Sequence, residues 1–153
     1  MNGADPEKAF LGVGWSFPPC TEPDGRVATV SYEEDIRQAI KIILSTDRGE
    51  RVMRPDFGAG LNSFVFEPVS QTTIERLRTR VEESLIDWEP RIDVEEVKVV
   101  PGQVDRNRLI PDDGNSGVSV RNALLIDIRY RVRATNSVSN LVYPFYLLEG
   151  ATR

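Results

Sequence analysis

Two glutamates beside prolines are the residues best suited to chemistry in this chain. Glu67, in Phe66-Glu67-Pro68, and Glu89, in Glu89-Pro90-Arg91, each sit in a stiff turn. Glycoside hydrolysis needs two carboxyl groups roughly 5 to 10 Å apart, one of them with a raised pKa. Nothing in the sequence brings Glu67 and Glu89 into one cleft, and among 24 acidic residues some pair can always be nominated. The chain has no histidine, the commonest general base and metal ligand. Its one cysteine, Cys20, can form neither an internal disulfide nor a thiolate cluster, and beside Pro18 and Pro19 it reads as an ordinary small residue. No serine has an evident base partner, and Gly12-Val13-Gly14 is only a fragment of a dinucleotide-binding loop. The expected sets of catalytic residues, metal ligands and cofactors are therefore empty, with a carboxylate-pair glycosidase as the competing enzymatic reading.

The chemistry that remains is recognition of other proteins. Arg51 to Leu61, RVMRPDFGAGL, is dense in backbone-special residues: Pro55 fixes φ, while Gly58 and Gly60 admit positive φ. Arginines and large aromatics carry much of the energy at interfaces, so Arg54, Asp56, Phe57 and Gly58 form a candidate docking loop around one aromatic anchor. Glu89, Pro90 and Arg91 are a second candidate, a proline-fixed corner that presents a charged pair. Read as an exposed pair, it predicts that Arg91→Ala spares the isolated fold.

These residues need elements to hold them. The segment through Gly25 is rich in Gly and Pro, with Trp15 and Phe17 on one side if extended, and reads as an ordered arm over residues 1–25 ahead of a single domain over 26–153. Val27 to Val30 is a short strand candidate. Ser31 and Glu34 make a capping box for a first helix whose apolar positions are Ile36, Ala39, Ile40, Ile43 and Leu44, with Gly49 as its stop. A second helix starts near Ser70 to Thr73 and carries the stripe Ile74, Leu77, Val81, Leu85 and Trp88 until Pro90 ends it.

The period then changes from helical to alternating. Ile92 and Val94 alternate with charge, and Glu95-Glu96 shifts the phase to Val97 and Val99, as a bulge does. Pro101 to Asn122 reads as a long exposed connection. Leu124, Ile126, Ile128, Tyr130 and Val132 form the clearest strand, and a polar turn leads to a last strand at Leu141 to Leu148, where Pro144 marks an edge or a bulge. The fold class is α+β: two main helices on a small mixed or antiparallel sheet that ends in a C-terminal β-hairpin.

At 153 residues and 40% hydrophobic content the chain suits one core, and its net charge of −5 argues against broad attraction to nucleic acid. The first residues resemble no secretory leader and no stretch approaches about 20 apolar residues, so synthesis in the cytoplasm without membrane insertion is expected.

Taken in order, several segments give a specific resemblance. They are FLGVGWSFPP at Phe10 to Pro19, Asp47-Arg48-Gly49-Glu50-Arg51, the Pro-Asp-Phe-Gly loop, Phe66-Glu67-Pro68, and WEPRI at Trp88 to Ile92. Together the chain resembles the sheath-initiator, or baseplate-wedge, family of contractile phage tails and contractile injection systems, sometimes labelled lysozyme-like. The resemblance implies a structural baseplate component, six copies per baseplate, with baseplate wedge proteins and the sheath protein as partners and inner tube or spike-hub proteins as further contacts. It implies that the Glu89-Pro90-Arg91 corner and the Arg54 to Gly58 loop face the wedge. It also implies that the terminal hairpin templates the first sheath ring by β-augmentation through Ile126, Ile128, Tyr130, Val132, Leu141, Tyr143, Phe145 and Leu147. The rival readings are a peptidoglycan-cleaving enzyme and a small adaptor on the same fold.

Overall fold

Helix α1 (Glu33–Ser45) and helix α2 (Gln71–Trp88) pack on one face of an antiparallel sheet, and a small β-ribbon lies against α1. The computed structural model describes residues 10–105, 108–111 and 123–147. The ribbon pairs β1 (Val13–Trp15) with β2 (Thr29–Ser31), and the sheet runs β4-β3-β5-β6 through β3 (Ile92–Asp105), β4 (Arg108–Pro111), β5 (Ala123–Val132) and β6 (Ser137–Tyr146).

The apolar stripes read from the sequence meet in one core. Ile36, Ile40, Ile43 and Leu44 of α1 and Leu77, Val81 and Leu85 of α2 are buried with Ile92, Val97 and Val99 of β3 and the even positions of β5 from Leu124 to Val132. The phase shift at Glu95-Glu96 is a bulge: Val94 pairs with Tyr130 and Glu96 with Arg129, which puts Val97 back on the core face. β3 differs from expectation at its far end. It continues through Pro101 to Asp105 and pairs with β4, so part of the expected connection is sheet; residues 112–122, with most of the Pro-Asp-Asp-Gly-Asn-Ser-Gly run, lie outside the described residues.

The ends of α1 are also built differently from the capping box. Ser31 is held in β2 by its pairing with Val13, Tyr32 becomes the N-cap with φ 61°, and no side chain caps the helix. Three carboxylates in the first turn, Glu33, Glu34 and Asp35, offset the positive helix end instead. At the other end the helix stops at Ser45, short of Gly49, because the following loop returns to supply donors. The Ala59 N–H donates to the Ile43 carbonyl at 2.9 Å and the Gly60 N–H to the Thr46 carbonyl at 3.3 Å. This requires a glycine at 58, which has φ +99° and whose added Cβ would stand 2.3 Å from the Thr46 carbonyl oxygen. By contrast α2 begins as the sequence indicates, with Ser70 Oγ accepting from the Thr73 N–H at 3.1 Å.

Gly58→Ala is expected to cost about 3–5 kcal/mol in urea unfolding, overpacking and backbone strain together. Gly49→Ala, at φ +85° with nothing within 4 Å of the new Cβ, should cost only about 1–2 kcal/mol. Alkali gives a second prediction, because burial raises the Tyr143 phenol above its ordinary value of 10.0. The neutral phenol is favoured by folding, so stability holds below that ordinary value and is lost as pH climbs through the raised one. Tyr143→Phe should flatten the alkaline limb of a stability profile.

Candidate functional site

Helix α2 ends where the backbone turns at Pro90, so Glu89 places a carboxylate at the negative end of a helix dipole, with the side chain 3% exposed. Such a charge needs a cation, and Arg91 supplies it in bidentate form: Nε to Oε1 at 2.7 Å and Nη2 to Oε2 at 2.6 Å. The third arm of the same guanidinium crosses to the N-terminal end of α1. There Nη1 donates to Asp35 Oδ2 at 2.6 Å and to the Leu11 carbonyl at 3.0 Å. Hydrogen bonding to Glu89, opposed by burial and reinforced by Asp35, holds the Arg91 guanidinium above its ordinary value, so it stays charged at every working pH. The Arg133 N–H then donates to the Arg91 carbonyl at 3.0 Å, tying the corner to the end of β5.

Gly14 of Gly12-Val13-Gly14 is the room this corner needs. A Cβ on Gly14 would stand 2.3 Å from Asp35 Oδ1, and one on Gly12 would lie 3.5 Å from Arg91 Nη1. Gly14 is therefore steric clearance for an ion-pair node, while Gly12, at φ +96°, meets Arg91 only at ordinary contact distance. Asp35 was missed by sequence reasoning; the available signal was a glycine at position 14 ahead of an acidic first turn.

The docking loop packs beside this node. Phe57 is only 8% exposed and meets Trp88 edge to face, centroids 5.2 Å apart. The Arg51 guanidinium carbon lies 4.4 Å from the Phe57 centroid and that of Arg54 5.6 Å from the Trp88 centroid. Gly58 is buried, while Arg54, Asp56 and Pro90 are exposed. The structure thus brings the two wedge-side candidates together: Arg51, Phe57, Trp88, Glu89 and Arg91 line one groove of about 530 Å³ against Ala39 and Ile42 of α1 and its C-cap Thr46. The aromatic expected as an anchor for a partner anchors the loop to its own helix, and the exposed tip is Val52 and Met53.

The sheath-side candidates are placed differently. β5 is paired along both edges, and Ile126, Ile128, Tyr130 and Val132 are core side chains. Leu141, Phe145 and Leu147 are also buried in the core and Tyr143 packs against it. What β6 turns outward is Val138, Asn140, Val142 and Tyr146. Glu67 and Glu89 stand at opposite ends of the 18-residue α2, about 27 Å of helix apart. Glu67 takes Arg76 at 2.9 Å as Glu89 takes Arg91.

Compared with known proteins, this arrangement stands with components of contractile particles. The anti-feeding prophage baseplate contains a chain of like fold, 27% identical, TM-score 0.61, covering 90% of this chain and 88% of that one. A Geobacter sulfurreducens protein solved under the provisional name of tail lysozyme is 48% identical, TM-score 0.60, over 78% of this chain and 94% of its own. The family model described as baseplate wedge protein gp25 matches residues 30–137, and the chain belongs to that family. Baseplate wedge protein gp25 of Enterobacteria phage T4 is 32% identical over 66 residues, 43% of this chain and 50% of the relative, so the chain spans about half the length of that relative.

Arg91→Ala leaves Glu89 buried without its cation, and the expected loss is about 3–5 kcal/mol of unfolding free energy. This differs from the expectation for an exposed pair. Arg91→Lys should recover part of it, since lysine keeps the charge but not the fork. Amide exchange in residues 13–31 should quicken in both; unchanged stability and exchange would show that the node is not a brace.

Proposed function

We propose that this chain is a structural link in a baseplate, holding the wedge on its helical side and starting the sheath on its sheet side. The observation that carries the reading is β6: ten residues, Ser137–Tyr146, paired to β5 on one edge and to no other strand among the described residues. Pro144 sits in unbroken register opposite Leu125 although it has no N–H to give. Positions of its parity, Val138, Asn140, Val142 and Tyr146, therefore turn their backbone groups away from β5. A strand arriving from a sheath subunit finds those groups free and a row of exposed side chains, Val138, Val142 and Tyr146, beside them. In this reading the expected sheath contacts Ile126, Ile128, Tyr130, Val132, Leu141, Tyr143, Phe145 and Leu147 become one half of a division of labour. Those side chains fix the hairpin on the core, and the β6 backbone makes the joint.

On the wedge side we assign Arg54, Asp56, Phe57 and Gly58 with Glu89, Pro90 and Arg91, the buried members setting the surface that the exposed ones present. The described part of the 1–25 arm packs as a ribbon on the 26–153 domain, six copies surround the inner tube, and folding precedes assembly in the cytoplasm. We read the chain as non-enzymatic. Its best carboxylate pair is separated by a whole helix and each member is committed to an arginine. The name given to the Geobacter relative makes a peptidoglycan assay worthwhile, where turnover abolished by Glu67→Gln or Glu89→Gln would favour the enzyme.

Val142→Pro removes one outward donor of β6 without touching the ladder to β5. The expected outcome is a protein that melts within a few degrees of the unsubstituted chain, with baseplates that lack an ordered sheath in negative-stain images. Val142→Thr should support normal sheaths. Sheathed particles with Val142→Pro would move the joint away from this edge.

A further inference from the structure

Among the described residues most arginines meet a carboxylate, and Arg48, Arg51, Arg54 and Arg80 do not. Arg129, Arg131 and Arg133 on the outer face of the sheet each meet Glu95 or Asp93, and Arg76 and Arg78 on α2 meet Glu67, Glu75 and Glu82. Arg51 and Arg54 have no carboxylate and no hydrogen-bond acceptor among the described residues. Each is exposed and restrained over an aromatic ring, Phe57 or Trp88. A guanidinium held in this way has lost part of its side-chain entropy while its N–H donors remain unused, which is the preorganised state that favours capture of an anion.

Between the two arginines the loop tip projects Val52, 86% exposed, and Met53, 93% exposed and at φ 61°. Beside them opens the groove floored by Ala39, Ile42, Phe57 and Trp88. Of the carboxylates that line this groove, Glu89 is neutralised by Arg91, and Glu50 accepts the Asp47 N–H at 2.8 Å and keeps its charge. The site therefore offers unused guanidinium donors on its rim and apolar surface at its tip and floor.

We propose that this site binds an acidic, amphipathic segment of another protein, with partner carboxylates taken by Arg51 and Arg54 and a partner apolar side chain by the groove floor and the Val52-Met53 tip. A nucleic acid fits poorly, because two guanidiniums in a chain of net charge −5 give little attraction to a phosphate backbone and the apolar floor would be wasted on it. The inference deepens the wedge-side assignment made above and rests on it only for which partner carries the segment.

The chain has two tryptophans, so Trp15→Phe leaves Trp88, in the groove, as the sole reporter. The probes are a synthetic helical peptide of Glu, Ala and Leu, its counterpart with Lys for Glu, and a short DNA duplex. The expected result is a saturable change in Trp88 emission with the acidic peptide alone, weakening as salt rises. Arg51→Glu with Arg54→Glu should lower its affinity by about tenfold or more. Since Arg51 also covers Phe57, Val52→Glu with Met53→Glu serves as a second variant at fully exposed positions, with the same loss and an unchanged melting temperature. No saturable change, an equal response to the basic peptide or the duplex, or full affinity in both variants overturns the proposal. Co-purification with the neighbouring baseplate proteins separates the two readings. If peptide binding fails while Arg51→Glu/Arg54→Glu protein still holds its wedge partners, only this inference falls. If the peptide binds as expected but the unsubstituted chain holds no wedge partner, only the assembly reading falls.

Discussion

One guanidinium joins three parts of this fold that are separate in the chain. Arg91 takes the carboxylate at the end of α2, the carboxylate at the start of α1 and the carbonyl of Leu11 ahead of the ribbon. The helix ends explain why a cation belongs there. The carbonyl end of α2 and the buried Glu89 together make a strongly negative point, which an apolar residue could not neutralise. Asp35 is already favoured by the amino end of α1, so its pairing with Arg91 adds direction as well as charge. A bidentate fork fixes angle and distance together, so the ribbon and both helices inherit one geometry from it.

The second constraint is the loop after α1, which caps that helix through Ala59 and Gly60. Its consequences reach the groove. Because Gly58 passes against the Thr46 carbonyl, Phe57 is drawn inward onto Trp88, and the two flanking arginines settle over the rings. Asp47 steadies the same turn by accepting from the Asn62 backbone N–H at 3.3 Å. The arrangement of the rim is thus a by-product of closing a helix end.

What the sequence made legible follows from the range of each signal. Periodicity is local, so the stripe of α2, the alternation of β5 and the phase slip at Glu95-Glu96 were all readable. Ser70 as a cap was readable for the same reason. Ser31 misled because its capping pattern competes with a strand pairing to Val13, which no local rule weighs. The Arg91–Asp35 contact joins residues 56 apart, and its only trace was glycine where a Cβ would collide. Whether a strand is central or an edge is likewise non-local: β5 alternates cleanly whether or not β6 covers it. Phe57 looked like a partner's anchor because an aromatic among glycines has the same signature facing in or out.

The two charged features of this surface divide their work by whether their charge is already satisfied. Glu89-Pro90-Arg91 is closed on itself, with every arm of the guanidinium engaged, so its part in any contact is to hold shape. A partner that had to break it would meet a buried carboxylate left without a cation, at a cost larger than most single contacts return. Arg51 and Arg54 have the opposite character, since their donors are free and their positions are set by rings that do not compete for hydrogen bonds. In the proposed contact, binding energy comes from the loop tip and rim, and the ion-pair corner decides only where they point.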